Sequence, residues 1–258
     1  QHRFLWKEYC KNHKCTPFSF FLGAINIALY KNTGHKDITL GTVVEGRNVP
    51  ELFSLIGMFV NTLPIRNVID SNQTVSGYIN AVQNNNSKIF ENGDVPYETI
   101  VKLSQIEHSN YRNPLFDIAI VYKDTELLDS EQHNDLKLEF VNVLPDMARF
   151  EMEIIIDNTK DGFNIKVCYA NELYKKTTIE RVLGLMDNII DIMLNAPEIK
   201  LGEMQILSEE EKHLVLEEFN RTEVSYPSSK TIVDLFEEQV IKKPDQVALI
   251  EGNLELTY

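Results

Sequence analysis

Cysteine and positive charge are scarce in this chain of 258 residues. The cysteines Cys10, Cys15 and Cys168 are too few and too unevenly spaced for a disulfide framework, which favours a reducing compartment, the cytoplasm. Lys and Arg number 25 against 39 Asp and Glu, a net charge of −14 without a basic cluster, which argues against nucleic acid as a partner. No apolar run reaches the roughly 20 residues of a membrane-spanning helix, so we expect no membrane.

Motifs for catalysis and metal binding are also missing. The sequence contains no G-x-S-x-G, no H-E-x-x-H, no phosphate-binding loop and no G-x-G-x-x-G. The spacing of Cys10 and Cys15 does not suit a metal knuckle, and we expect no metal site. No two histidines are close in sequence, and none stands in a nucleophile–base pattern: His2, His13, His35, His108, His133, His213. The residues alone therefore predict an acidic α+β protein without a recognisable catalytic group.

What the chain does contain is a clear alternation of helix and strand signals. Thr16 and Pro17 predict the start of a buried helix that Gly34 ends. Strand patterns follow at 38–45 and 59–65, where Pro64 argues against ladder bonds on both sides. A second helix starts at Thr74. Its polar middle, 83–87, is interpreted as a solvated face.

The following segment, 92–201, continues as short helices and strands. Pro96 predicts a helix through Gln105, and the apolar run 115–122 predicts a central strand. We expect an exposed loop at 126–135. Alternating residues at 150–157 and 163–169 predict a hairpin. Thr177 and Glu180 predict a capping box for a helix to Leu194.

The composition changes near residue 203. Ser208 and Glu211 predict a capping box for a helix through Phe219, and 220–230 has the composition of a linker. The pattern of 231–258 predicts a helix and a small hairpin, which cannot bury a core by themselves. The first residue is Gln1, within a helical pattern. We therefore expect this sequence to be part of a longer protein.

Several stretches occur in an order that resembles one known family. The segments Gly41–Arg47, Ile56–Arg66, Asn92–Glu98 and Tyr111–Phe116 are similar, in order and spacing, to core motifs of nonribosomal peptide synthetase condensation domains: G-T-x-x-x-G-R, G-x-F-V-N-T-x-x-x-R, D-x-P-[YF]-E and R-N-P-L-F. Downstream, 207–227 looks like the linker after such a domain, and 235–258 looks like the start of an adenylation domain.

The resemblance implies a fold and a division of the chain. The expected fold class is α+β, a chloramphenicol-acetyltransferase-like lobe with a mixed, mostly antiparallel sheet, packed helices and a helical linker. Residues 1–202 would be the C-terminal lobe of the condensation domain, 203–230 the interdomain linker, and 231–258 the N-terminal stub of an adenylation domain.

The resemblance also implies an activity and partners. Condensation domains join aminoacyl or peptidyl thioesters that upstream and downstream carrier proteins present on 4′-phosphopantetheine. The family's H-H-x-x-x-D-G motif is absent from this chain, so we expect no catalytic residue here and no activity from this part alone. The expected partners are a missing N-terminal condensation lobe, the carrier domains and a downstream adenylation domain, with possible self-association through an apolar face at 59–64.

The motifs assign roles to particular residues, some with open alternatives. Asn61 and Thr62 would line the substrate tunnel or else only satisfy backbone groups at a strand end, and Phe59 and Gly57 belong to the same wall. Arg66 could bind a carboxylate of the other lobe, although an ion pair within this chain is favoured. The remaining motif residues are expected to be structural, in turns or at a helix start: Gly46, Arg47, Asp94, Pro96, Glu98, Arg112, Asn113, Pro114.

Two further hypotheses stay open at this point. The chain could be a non-catalytic docking lobe of a synthetase, or it could be a truncated acyltransferase relative. The adenylation-like pattern at 231–258 argues against a freestanding acyltransferase. The sequence that precedes Gln1 would separate the hypotheses, since a catalytic condensation domain requires H-H-x-x-x-D-G there.

Overall fold

The computed structural model describes residues 4–47, 49–106, 112–124 and 148–258. The predicted loop at 126–135 and the residues His2, His108, Tyr111 and His133 lie outside them. The chain divides into two compact units, Gln1–Ile206 and Leu207–Tyr258. The three-part division at 202 and 230 stays a prediction.

Helices and strands alternate through the first unit. Its described elements are α1 (Leu5–His13), α2 (Pro17–Thr33), β1 (Asp37–Val44), β2 (Asn61–Val68), α3 (Val75–Glu91), α4 (Tyr97–Ser104), β3 (Ile118–Asp124), β4 (Met152–Thr159), β5 (Gly162–Tyr169) and α5 (Lys176–Asn195). Short 3₁₀ turns occur at Pro50–Leu52 and Leu201–Glu203.

Within the part of the first unit that the structure describes, one mixed sheet has the strand order β2-β1-β3-β4-β5. The outer pairs β1–β2 and β4–β5 are antiparallel, whereas the inner pairs β1–β3 and β3–β4 are parallel. The predicted central strand is confirmed as β3. Pro64 lies in the edge strand β2, where a residue without an N–H costs the sheet least.

The core lies between the sheet and the helices. α2 is the most buried helix, because its apolar residues cover almost its whole circumference. The hydroxyl of Thr16 accepts the amide of Ser19, Pro17 opens the helix, and Gly34 ends it at φ 76°, as predicted. The rings of Trp6, Phe21 and Phe163 all contact one another, and Trp6 packs edge to face against Phe163.

The predicted capping box at the start of α5 is wrong. The helix begins at Lys176, two residues earlier than that pattern requires, and its N-cap residue Lys175 makes no side-chain capping hydrogen bond. Thr177 therefore lies inside the first turn and cannot accept from the N3 amide. Glu180 instead lies 3.5 Å from Lys176 Nζ.

The solvated face predicted for 83–87 is wrong for part of that segment. Asn86 is buried and donates from Nδ2 to Ser19 Oγ at 2.8 Å, which joins α3 to α2. Asn85 donates to the carbonyl oxygen of Arg66, and the Gln83 side chain accepts the amide of Thr16. Asn84 and Ser87 are exposed, as the prediction requires.

The second unit consists of short elements. These are α6 (Glu209–His213), a π-helical turn at Leu214–Glu218, α7 (Ile232–Lys242), β6 (Val247–Glu251) and β7 (Leu254–Thr257). The Ser208–Glu211 capping box forms as predicted. The sequence predicts a single α-helix through Phe219, but after His213 the chain forms the π-helical turn instead. There the amide of Phe219 donates to the carbonyl oxygen of Leu214, five residues back, rather than to the one four residues back.

Candidate functional site

An open cavity of about 440 Å³ lies where β2 begins and α4 begins. It brings together three of the four motif segments, although 32 residues separate the Asn61 and Gly93 that bond across it. Its lining residues are Gly46, Met58, Phe59, Val60, Asn61, Thr62, Gly93, Asp94, Pro96, Tyr97 and Glu98. We refer to it as the motif cavity.

Asn61 is the central polar residue of the motif cavity. Its Nδ2 donates to the carbonyl oxygens of Gly93 and Val95, at 2.8 and 2.9 Å. Its Oδ1 accepts the amide of Thr62 at 2.9 Å. Both amide donors and the carbonyl are therefore engaged by backbone groups. Asn61 ties the first residue of β2 to the turn before α4 and so shapes this wall.

Gly46 and Arg47 hold Phe59 from two sides. A Cβ at Gly46 would lie 1.9 Å from the carbonyl oxygen of Phe59, and the residue has a φ of +65°, so only glycine fits. The Arg47 guanidinium carbon lies 4.4 Å from the centre of the Phe59 ring. Arg47 also donates to the carbonyl oxygen of Leu52. We refer to this pair, which fixes the position of Phe59 in the cavity wall, as the Gly46–Arg47 clamp.

Gly57 is placed differently from the other wall residues. It does not line the motif cavity and is exposed. A Cβ there would lie 3.2 Å from Phe59 Cε2, so Gly57 gives space to a ring edge. The close backbone approach in this region is that of Gly46 to the carbonyl oxygen of Phe59.

The acidic motif residues lie at the start of α4. Pro96 is the N-cap residue of α4, and no side-chain hydrogen bond caps the helix. Glu98 lies in the first turn, where a carboxylate opposes the positive end of the helix dipole. Asp94, Pro96 and Glu98 all line the motif cavity, and Asp94 and Glu98 are exposed there. Asp94 precedes the N-cap residue of α4 by two positions.

Arg66 pairs with a carboxylate of the same sheet. Its Nε and Nη2 donate to the two carboxylate oxygens of Asp37, at 2.8 and 2.6 Å. The pair lies diagonally across β1 and β2 and is exposed. The Arg66 guanidinium lowers the pKa of the Asp37 carboxyl below its usual value. Arg66 is therefore engaged within this chain and lies outside the motif cavity.

The fourth motif shapes the entry to β3. Arg112 makes a two-pronged contact with the Asp117 carboxylate, which raises the pKa of the Arg112 guanidinium. Arg112 and Asn113 line a second open cavity, of about 410 Å³, with Arg149 and Glu151. Pro114, which lines neither of these two cavities, is half-buried in the turn.

Phe116 connects this motif to the first one. Its buried ring lies against Gly41, where a Cβ would be 2.0 Å from Phe116 Cε2. The same ring packs edge-on against Tyr97, with centroids 5.9 Å apart. Gly41 is thus required because strand β1 must leave space for an aromatic ring. The four motifs form one packed unit around β1.

The motif cavity can orient a bound group, and few of its lining residues are ionisable. Its lining includes no histidine, cysteine, lysine or arginine. Across the described ranges, no cluster of His, Cys, Asp and Glu could hold a metal ion. Nor does any helix there have the length and hydropathy needed to cross a membrane. The ionisable side chains in the lining of the motif cavity are those of Asp94, Tyr97 and Glu98.

Sequence reasoning missed several partner residues. Asp37 and Asp117, which engage the two motif arginines, stand outside the motifs that suggested a site. No role for Tyr97 follows from the motifs, yet it lines the cavity and packs on Phe116. The burial of Asn86 could have been predicted, because Asn86 follows Ile79 and Val82 at helical spacing on the apolar face of α3.

Comparisons with known proteins identify the family. Residues 4–216 match the family model described as "Condensation domain". The chain belongs to the condensation-domain family. This condensation-domain chain is 32% identical over 245 residues to gramicidin S synthase 2 of Brevibacillus brevis, which covers 94% of the chain and 6% of that relative. It is 33% identical over 252 residues to bacitracin synthase 1 of Bacillus licheniformis, and this alignment covers 98% of the chain and 5% of that relative.

Solved condensation-domain structures share the fold. The four-domain nonribosomal peptide synthetase holo-AB3403, bound to AMP and glycine, superposes with a TM-score of 0.75 at 19% identity, over 96% of this chain and 20% of that one. The condensation domain of the monacolin K polyketide synthase MokA gives a TM-score of 0.68 at 20% identity, over 77% of this chain and 46% of that one. The predicted chloramphenicol-acetyltransferase-like α+β fold is confirmed.

Proposed function

We propose that this chain is the C-terminal lobe of a condensation domain that forms peptide bonds between carrier-bound thioesters in a nonribosomal peptide synthetase. The chain spans only about a twentieth of the length of the curated relatives it matches, each of which is named as a synthase. The observation that carries the proposal is the convergence of three family motifs on one cavity.

In this proposal the motif cavity is this lobe's contribution to the substrate tunnel. Phe59, Asn61 and Thr62 form the wall, and the Gly46–Arg47 clamp fixes the position of that wall. Asn61 acts as a positioning residue, because backbone groups already occupy its amide. Gly57 serves the wall indirectly through the Phe59 ring. The carrier domains bring the reacting groups on 4′-phosphopantetheine, and this lobe binds no cofactor of its own.

The catalytic histidine of the proposed reaction belongs to the preceding lobe. The 258 residues contain no H-H-x-x-x-D-G, and no histidine lines the motif cavity. We therefore expect no amide formation by these residues alone. Carrier proteins, an adenylation domain and the other lobe are the proposed partners in the cytoplasm.

The C-terminal part is proposed to be the linker and the start of an adenylation domain. The family match ends at residue 216, whereas the bacitracin synthase relative aligns over 98% of the chain. The second unit leaves large apolar side chains exposed, including Ile232 at 86%, Ile241 at 81% and Ile250 at 68%. Such exposure supports an incomplete domain whose core needs further chain.

Activity in a two-lobed protein tests the proposal. The chain alone and the chain joined to its preceding lobe are supplied with loaded donor and acceptor carriers, and amide product is measured by mass spectrometry. We expect product only from the joined protein. Asn61→Ala should lower turnover at least tenfold, because the turn at Gly93–Val95 loses its attachment to β2. Asn84→Ala, an exposed asparagine of α3, is the matched control.

A non-catalytic docking lobe is the second candidate. This candidate is favoured because groups of this same chain already bind Asn61, Arg66 and Arg112. It predicts carrier binding without product, even in the joined protein. Turnover by the chain alone would contradict both candidates.

A further inference from the structure

The two cysteines near the start of the chain occupy one capping turn. The C-cap residue of α1 is Lys14, which has a φ of 52°. The amides of Lys14 and Cys15 both donate to the carbonyl oxygen of Cys10. In this type of helix end, the residue after the left-handed position packs against the residue whose carbonyl it caps. Here both of those positions are cysteines.

The cysteine side chains meet inside the protein. Cys10 and Cys15 are 6% and 8% exposed, and both thiols are free. The two side chains are close enough for each thiol to shift the pKa of the other. A backbone bond of 3.0 Å joins the two residues, so their α-carbons can be no more than about 7 Å apart, within the range that a disulfide spans.

The two thiols differ in acidity. The hydrogen bond from Cys10 lowers the pKa of the Cys15 thiol, whereas the same bond and burial raise the pKa of the Cys10 thiol. Of the two thiols, Cys15 is therefore the one that loses its proton more readily. This is the arrangement of an attacking thiol beside a resolving thiol.

We propose that Cys10 and Cys15 form an oxidisable pair that hydrogen peroxide converts into an intramolecular disulfide, tying the end of α1 to the start of α2. The Cys15 thiolate attacks peroxide and becomes a sulfenic acid, with release of hydroxide. The Cys10 sulfur then displaces that oxygen as water and the S–S bond forms. In total two thiols lose two hydrogens, and one peroxide is reduced to two waters.

Peptide mass spectrometry tests the pair directly. The 258-residue chain is treated with hydrogen peroxide, blocked with N-ethylmaleimide and digested with trypsin, which cuts after Lys11 and Lys14 between the two cysteines. We expect peptides 8–11 and 15–31 to appear joined and two hydrogens lighter than their sum, and to separate on reduction. A monomer band on a non-reducing gel shows that the bond lies within one chain.

Single substitutions assign the two roles. In Cys10→Ser, Cys15 should stop at the sulfenic acid and be trapped by dimedone, whereas in Cys15→Ser no dimedone adduct should form at Cys10. Cys168→Ser, a half-buried cysteine on β5, is the control and should leave the joined peptides unchanged. Circular dichroism checks that each variant is folded. Absence of the joined peptides from wild-type protein, or a dimer band that accounts for them, would overturn the proposal.

Discussion

Gly46 shows how much a single residue contributes to the motif cavity. Its positive φ and its contact with the Phe59 carbonyl oxygen each exclude a side chain, for different reasons. Gly34 shares the positive φ, at +76°, but a Cβ there would have no other atom within 4 Å. A side chain at Gly34 would therefore meet backbone strain alone, whereas one at Gly46 would meet both backbone strain and a steric clash.

Substitution of both glycines by alanine should give unequal losses. Gly34→Ala should destabilise the protein by about 1 kcal/mol, the cost of the left-handed conformation for a side chain. Gly46→Ala should cost a further 1–3 kcal/mol, roughly, because the Phe59 segment must move. Urea unfolding measures both values. Equal losses would show that the 1.9 Å approach has no energetic consequence.

The Asp37–Arg66 ion pair should make stability depend on pH in one direction. The pair holds the pKa of Asp37 below 3.8, its unperturbed value, so the unfolded chain binds this proton more readily. The stabilisation is present above the unfolded pKa and is lost as pH falls through the folded pKa. It is small, since both side chains are exposed.

Comparison of Asp37→Asn with wild type tests this sign. The difference in unfolding free energy should be constant near about pH 6 and should close below about pH 4. Asp187→Asn, an exposed carboxylate of α5, controls for the loss of one surface charge. A difference that grows on acidification would contradict the ion pair.

At the scale of elements, α3 is held by polar as well as apolar contacts. Asn86 donates to Ser19 of α2, and Asn85 donates to the carbonyl oxygen of Arg66 in β2. These bonds fix the helix relative to both a helix and an edge strand. They explain why a segment with low helix propensity is retained in the middle of α3.

Removal of one asparagine amide should distinguish buried from exposed positions on α3. Asn86→Ala should destabilise the protein by about 1–3 kcal/mol, because a buried hydrogen bond to Ser19 is lost. Asn84→Ala, two residues away and exposed, should change stability by less than about 0.5 kcal/mol. Thermal or urea unfolding gives both values, and similar losses would restore the interpretation of a solvated face.

At the scale of the whole molecule, the segment 53–60 leaves apolar side chains in contact with solvent. Ile56 is 105% and Met58 92% exposed, and Phe53, Leu55 and Val60 are also exposed. The segment runs beside the motif cavity, to which Met58 and Val60 contribute. A surface of this kind is typical of a protein interface.

We expect this segment to drive self-association of the isolated chain. Ile56→Ser with Met58→Ser should weaken association at least tenfold in sedimentation velocity, because the apolar area that a dimer would bury is removed. Leu103→Ser, which changes an exposed leucine of α4, is the matched control. A wild-type chain that stays monomeric at every concentration would contradict the expectation.

The sequence by itself determined the family, the order of elements and several of their ends. Thr16, Pro17 and Gly34 bound α2 because capping depends on local backbone chemistry, and Pro64 predicted an edge strand because it has no amide hydrogen. The family motifs were readable because their residues are contiguous. The same local reasoning failed for Thr177, because the helix starts two residues earlier and its N-cap residue is Lys175.

Tertiary structure alone decided what the motif residues contact. Gly41 leaves space for the Phe116 ring, and Gly46 leaves space for the Phe59 carbonyl oxygen. Asn61 donates to the carbonyl oxygens of Gly93 and Val95. These partners are distant in sequence, and no local propensity encodes which strands and turns meet. The acidic partners of Arg66 and Arg112 were hidden for the same reason, since an ion pair depends on register and turn geometry rather than on spacing.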